Sequence, residues 1–146
     1  MECLFCAAVA GEAAVHEVSR DGVALAFLDH RPLFPGHVLV VPVPHAATLT
    51  DLPDELVGPF FTRVRAVTAA VEQATAAAGS FVAMNNRVSQ SVPHLHVHVV
   101  PRHRGDGLRG FFWPRGHYPT EAAALETAAR IRAALRQATA VRTSDG

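Results

Sequence analysis

Three histidines, His94, His96 and His98, alternate with Leu95 and Val97 in a run rich in β-forming residues that ends at Pro101. A strand turns successive side chains to opposite faces, so this spacing predicts three imidazoles in a row on one face, with Leu95, Val97 and Val99 packed on the other. Three chemistries compete for such a row. Exposed positions that merely need polarity have no reason to choose the same residue three times. Imidazole is a common metal ligand, but strand-borne sites usually add a carboxylate or another His, and no Asp or Glu lies between Glu72 and Asp106. An unprotonated imidazole is also nucleophilic near neutral pH, and neighbouring rings can donate to a reacting anion; phosphorus chemistry suits that arrangement.

Two other groupings carry chemistry. Cys3-Leu4-Phe5-Cys6 is a C-x-x-C pair. Two cysteines do not close a four-ligand site, so the pair reads as half a metal site, a redox pair or two small buried hydrophobes. Between Phe111 and Arg115 three aromatics, Phe111, Phe112 and Trp113, stand among Arg109 and Arg115. They suit either stacking on a second base beside phosphates or packing at a homodimer interface.

The elements that must position these groups follow from period and punctuation. Val15 to Val18 and Val23 to Leu28 flank Arg20-Asp21-Gly22, a hairpin signal. His37 to Pro42 reads as a third strand entered through Pro35-Gly36. Val57, Phe60, Phe61, Val64, Val67, Val71 and Ala74 mark the buried stripe of a long helix, delayed or kinked by Pro59 and ended by Gly79. Phe81 to Asn85 and Val92 to Val100 give two more strands. A closing helix follows the N-cap Thr120, with Leu125, Ala128, Ile131, Leu135 and Ala138 on one side. The order predicts an α+β domain: a five-stranded antiparallel sheet with a long helix and a C-terminal helix packed against it.

Composition sets the class. The chain has 146 residues, 49% hydrophobic and 18% charged, enough for one core without disulfides; a single domain is expected over 1–139, with a frayed tail from 140 to 146. Thirteen basic residues balance thirteen acidic ones, which argues against a duplex nucleic-acid binder. No apolar run reaches the ~18 residues of a membrane span, and no signal peptide is visible, so a cytoplasmic location is expected.

The run His94-Leu95-His96-Val97-His98-Val99-Val100 resembles the His-φ-His-φ-His-φ-φ signature, φ being apolar, of the histidine triad (HIT) nucleotide hydrolases and transferases. The stretch from Phe27 through Asp29 and Gly36-His37 to Pro42 is similar to that family's ribose-binding strand and turn. Gln90-Ser91-Val92 before the triad fits too, as do Pro101-Arg102 and Gly105-Asp106 after it, and these features resemble the fragile histidine triad and dinucleoside-polyphosphate hydrolase branch.

The resemblance implies roles. His96 would attack the α-phosphate, giving a nucleotidyl-histidine intermediate, while its other ring N–H donates to a backbone carbonyl. His98, Ser91, Gln90 and Asn85 would bind phosphate oxygens. Asp29 would accept from the ribose hydroxyls, and Phe27 and Phe5 would flank a purine. Some members carry an N-terminal cysteine pair that completes a structural zinc site; Cys3, Cys6, His45 and His94 match it. The expected substrates are dinucleoside polyphosphates or nucleoside phosphoramidates, the expected assembly is a homodimer, and no catalytic metal is required. A non-catalytic purine-nucleotide-binding or sensor module is the alternative. The chain departs from the family pattern at Ser89, where Gly is usual, and in a shorter loop over 85–89, which leaves Asn85 and Asn86 competing for the phosphate.

Overall fold

A computed structural model describes residues 3–109 and 115–144. The chain divides into two compact units, Met1–Asp106 and Gly107–Gly146, a division that falls inside the 1–139 span expected from sequence. In the first unit, helix α1 (Leu4–Ala10) precedes strands β1 (Glu17–Arg20), β2 (Ala24–Leu28) and β3 (Val38–Pro42). A 3-10 turn (Leu49–Asp51) leads to helix α2 (Asp54–Ala74), and strands β4 (Gly79–Ala83) and β5 (Val97–Arg102) follow. The five strands pair antiparallel in the order β1-β2-β3-β5-β4. In the second unit, helix α3 (Glu121–Ser144) starts where Thr120 Oγ1 accepts the N–H of Ala123, and it continues past position 140, where fraying was expected. Leu125, Ile131, Leu135 and Val141 on α3 are exposed.

The hairpin forms as its Asp-Gly signal predicts. Asp21 Oδ1 accepts the N–H groups of Val23 and Ala24 at 2.7 and 2.9 Å, an Asx turn that reverses the chain. These backbone bonds, with the Arg63 guanidinium 2.9 Å from Oδ2, hold the Asp21 carboxyl below its ordinary pKa and tie the hairpin to α2.

The sheet has two unlike faces. Ala24, Ala26, Val38, Val40, Leu95, Val97 and Val99 pack under Phe60, Val64, Val67 and Val71 of α2. Each Val, Leu and Phe among them contributes about 1.5 to 3 kcal/mol of transfer free energy. Leu25, Phe27, Leu39 and Val41 face the other way, where α1 sets Phe5 and Ala8 on them. Pro59 does not delay α2, which begins at Asp54. Leu52, 2% exposed, anchors its entry, and Asp54 and Glu55 favour the N-terminal dipole. Gly79 does not end it either: the helix stops at Ala74, Ala76 turns at φ 51°, and Gly79 opens β4. Gly36, at φ 96°, is required where it stands, since a Cβ there would meet Thr75 Cγ2 at 2.7 Å.

The triad segment differs from the expected strand. The β5 ladder begins at Val97, not Val92. Pro93 has no N–H to give, and the N–H of Leu95 is taken by the carbonyl of Ala46 at 2.7 Å, outside the sheet. The inward alternation of Leu95, Val97 and Val99 nevertheless holds, each being fully buried.

Candidate active site

The histidine row is present, and its rings are set by named backbone groups. Nδ1 of His96 lies 2.8 Å from the carbonyl oxygen of His94. A carbonyl only accepts, so Nδ1 carries a proton, and in the neutral ring the lone pair is on Nε2. The His96 and His98 ring centroids are 5.1 Å apart. Both rings line a cavity of about 410 Å³, walled by Phe5 of α1, by Phe27, Asp29 and Leu39, and by Ser91.

His98 has its tautomer assigned by a chain of donors. The backbone N–H of Leu33 donates to Nδ1 of His37 at 3.1 Å, so the His37 proton sits on Nε2. That N–H donates to Nδ1 of His98 at 2.9 Å, which leaves the His98 proton on Nε2. Burial, then the neighbouring His96 and His37 rings, push the His98 pKa down to about 4, against the pull of Asp29. Burial lowers His37 as well. His98 is therefore a neutral donor at neutral pH. Asp29 stands 3.7 Å from His37 Nε2 through Oδ2 and accepts the N–H of Arg31 through Oδ1 at 2.9 Å.

Cys3, Cys6, His45 and His94 bring four donor atoms within 4.8 Å of one another. Nδ1 of His94 lies 3.5 Å from each sulfur and 3.2 Å from Nδ1 of His45, which is 3.3 Å from Cys6 Sγ. A tetrahedral zinc with ordinary Zn–S and Zn–N bonds has ligand-to-ligand edges of roughly 3.3 to 3.8 Å. Nε2 of His94 donates to the carbonyl of Pro42 at 2.9 Å, so Nδ1 presents its lone pair to the centre. Burial, then the adjacent Cys3 sulfur, raise the Cys6 pKa, and a bound cation is what would hold both sulfurs as thiolates. The donor set fits a closed Cys₂His₂ zinc. Asp29, His37 and His98 also converge within 4.8 Å, but there the Leu33 N–H keeps a proton on His37 Nε2. That group is a hydrogen-bonded relay and not a ligand set.

Other expected residues are placed differently. Gln90 spends its amide on the protein: Oε1 accepts the N–H of Arg87 at 2.8 Å and Nε2 donates to the Ala47 carbonyl at 2.6 Å. It braces the loop instead of facing the cavity. Asn86 Oδ1 accepts the N–H of Leu49 at 2.8 Å, while Asn85 Nδ2 donates to the Ser89 carbonyl at 3.2 Å. Arg102 and Asp106 form a paired contact at 2.6 and 3.0 Å, so this part of the Pro-Arg-x-x-Gly-Asp run locks a turn. Phe111, Phe112 and Trp113 lie outside the described residues. Sequence reasoning missed His37 as a site residue. No local sequence signal marked it: the β3 to β5 register, which pairs Leu39 with His98 and puts His37 diagonally beside it on the same face, is set by the fold.

An antiparallel sheet carrying this row of histidines at its cavity is the architecture of the histidine triad class. The HIT domain family model matches residues 10–105, and the chain belongs to that family. It is 38% identical over 110 residues to an uncharacterized HIT-like protein of Mycobacterium tuberculosis, covering 74% of this chain and 76% of the relative. It is 33% identical over 115 residues to the adenosine 5'-monophosphoramidase hnt1 of Schizosaccharomyces pombe, covering 78% and 84%. The asymmetrical bis(5'-nucleosyl)-tetraphosphatase of the same yeast is 37% identical over 89 residues, covering 60% and 49%. A zinc-bound histidine triad family protein from Mycobacterium smegmatis superposes with a TM-score of 0.70 at 35% identity, covering 97% of this chain and 98% of that one.

Proposed function

We propose that the protein is a nucleotide hydrolase or nucleotidyl transferase that cleaves at the α-phosphate through a covalent His96 intermediate. The observation that carries the reading is the His96 Nδ1 to His94 carbonyl bond of 2.8 Å in a ring that lines the cavity. It points the Nδ1 proton at the backbone carbonyl and leaves Nε2 as the nitrogen aimed to attack.

In the proposed sequence, Nε2 of His96 forms a bond to the α-phosphorus as the bond to the leaving group breaks, and the leaving group takes a proton from solvent. Water then attacks the nucleotidyl-histidine and gives a proton back to solvent, releasing a nucleoside monophosphate and restoring the ring. His98 Nε2–H and the Ser91 hydroxyl donate to the non-bridging oxygens where charge builds. Asn85 and Gln90, each hydrogen-bonded within the loop before the triad, act through that loop. Asp29 accepts from the ribose hydroxyls, and Phe5 and Phe27, 5.5 Å apart and edge to face, flank the base. Cys3, Cys6, His45 and His94 hold a structural zinc whose chemistry is cross-linking, with no step of the reaction at the metal.

Dinucleoside polyphosphates are the first substrate class and nucleoside phosphoramidates the second; the tetraphosphatase and phosphoramidase names of the two yeast relatives support a nucleotide substrate. A cytoplasmic homodimer is the assembly proposed. Among the described residues no helix is long and apolar enough to cross a membrane. The decisive experiment is rapid quench with a dinucleoside polyphosphate and mass spectrometry without acid. A nucleotidyl adduct on the peptide bearing His96, absent in His96→Ala, is expected. Tight binding with no adduct and no turnover overturns the enzyme reading in favour of a nucleotide sensor.

A further inference from the structure

We infer that the Cys3, Cys6, His45 and His94 centre aims His96 and shapes the cavity, and that a peroxide switches the site off by oxidising the cysteine pair. Two shared elements carry this. His94 gives its ring to the centre and its carbonyl to His96 Nδ1, at 2.8 Å, so a ring that shifts carries the nucleophile's orienting acceptor with it. Helix α1, only seven residues long, supplies both sulfurs from its N-terminal turn and then the cavity wall through Leu4, Phe5 and Ala8. The Phe5 ring lies 5.2 Å from the His96 ring and 6.0 Å from that of His94.

A helix this short has no stability of its own. Its far end is tied by the Arg20 guanidinium to the carbonyls of Val9 and Ala8, at 2.6 and 3.2 Å. Its near end is tied by the centre and by the packing of Phe5. Cys3 and Cys6 are partly exposed, and His45 is exposed, so a small oxidant reaches them. The two sulfurs lie within 4.8 Å at i, i+3, a spacing that a disulfide closes by rotamer adjustment. In the step proposed, the two thiolates lose one electron each and form an S–S bond. The O–O bond of hydrogen peroxide breaks and takes up those electrons with two solvent protons, giving two waters. The ligand set loses both negative charges and its zinc leaves.

The loss of nucleotide binding rests on the function proposed above; the effect on His96 does not. The test treats zinc-loaded protein with hydrogen peroxide and follows released zinc, remaining thiols, the His96 ring nitrogens by ¹⁵N NMR, amide exchange, and AMP affinity by calorimetry. One zinc released with two thiols is expected, together with conversion of His96 from a single Nδ1–H tautomer to a mixture. Exchange should quicken across residues 4–10 while β3 and β5 stay protected, and AMP should bind roughly tenfold more weakly, all reversed by dithiothreitol with zinc. A locked His96 tautomer and unchanged α1 exchange after zinc release overturn the inference. So does loss of protection in every strand, since the centre would then be a general staple. Cys6→Ser, which forms no disulfide within the pair, should show no peroxide-dependent step; a step of equal size there also overturns it. If untreated protein does not bind AMP, the nucleotide reading fails, and the tautomer and exchange data still decide the positioning.

Discussion

Nε2 of His37 donates to Nδ1 of His98 across 2.9 Å, and the backbone N–H of Leu33 dictates the direction of that bond. A buried residue that touches no reacting atom thereby decides which nitrogen of His98 carries the proton.

Removing that control should separate positioning from donation. His37→Phe is expected to lower kcat by roughly 10- to 100-fold with a smaller change in KM, whereas His98→Ala, which removes the donor itself, should cost about 10² to 10³. In His37→Phe the His98 nitrogens should titrate as a tautomer mixture by ¹⁵N NMR. A kcat equal to the parent's would dismiss the relay.

The same histidines make stability pH-dependent. His98 is lowered from 6.5 to about 4 in the fold, so between those values the unfolded chain binds more protons than the native one. Stability is full above about pH 6.5 and falls as pH drops toward 4. His37, lowered by burial, contributes with the same sign. After discount for partial exposure we expect about 1 to 2 kcal/mol from His98. Urea denaturation of the parent and His98→Gln across this range checks it; the variant should show the flatter profile.

Asp29 should report on the sugar. An ionised acceptor shared by two hydroxyls is worth about 1.5 to 3 kcal/mol, so Asp29→Asn is expected to weaken AMP roughly 10- to 100-fold while leaving 2',3'-dideoxy-AMP nearly unchanged. Equal losses for both ligands would remove Asp29 from the ribose.

Ser89 is a non-glycine residue held at φ 59° in the loop before the triad. Left-handed backbone costs an L-residue roughly 1 to 2 kcal/mol, part of which glycine returns to unfolded-state entropy. Ser89→Gly should raise stability by about 0.5 to 1 kcal/mol, seen as a Tm increase of a few degrees. A lower Tm would mean that the hydroxyl holds the loop.

Much of this site was legible because side-chain period and family-like motifs agree. The alternation of His94, His96 and His98 against Leu95, Val97 and Val99 survives even where the regular ladder does not. What stayed hidden depends on contacts distant in sequence. The Pro42 carbonyl orients His94 from 52 residues away, and Gln90 is consumed by Ala47 from 43 residues away. Helix α1 carried no periodic signal, since seven residues give too few turns for a stripe. Pro59 and Gly79 misled because local propensity was overridden, in α2 by the burial of Phe60, Val64, Val67 and Val71.

The brevity of α1 has a last consequence. Helix α2, at 21 residues, lies against β2, β3, β4 and β5 on one side of the sheet, while α1 spans only seven and stops at Gly11. The unroofed remainder is the hollow in which His96 and His98 stand. A few more turns of helix would have finished the protein as a sandwich and left no room for a guest.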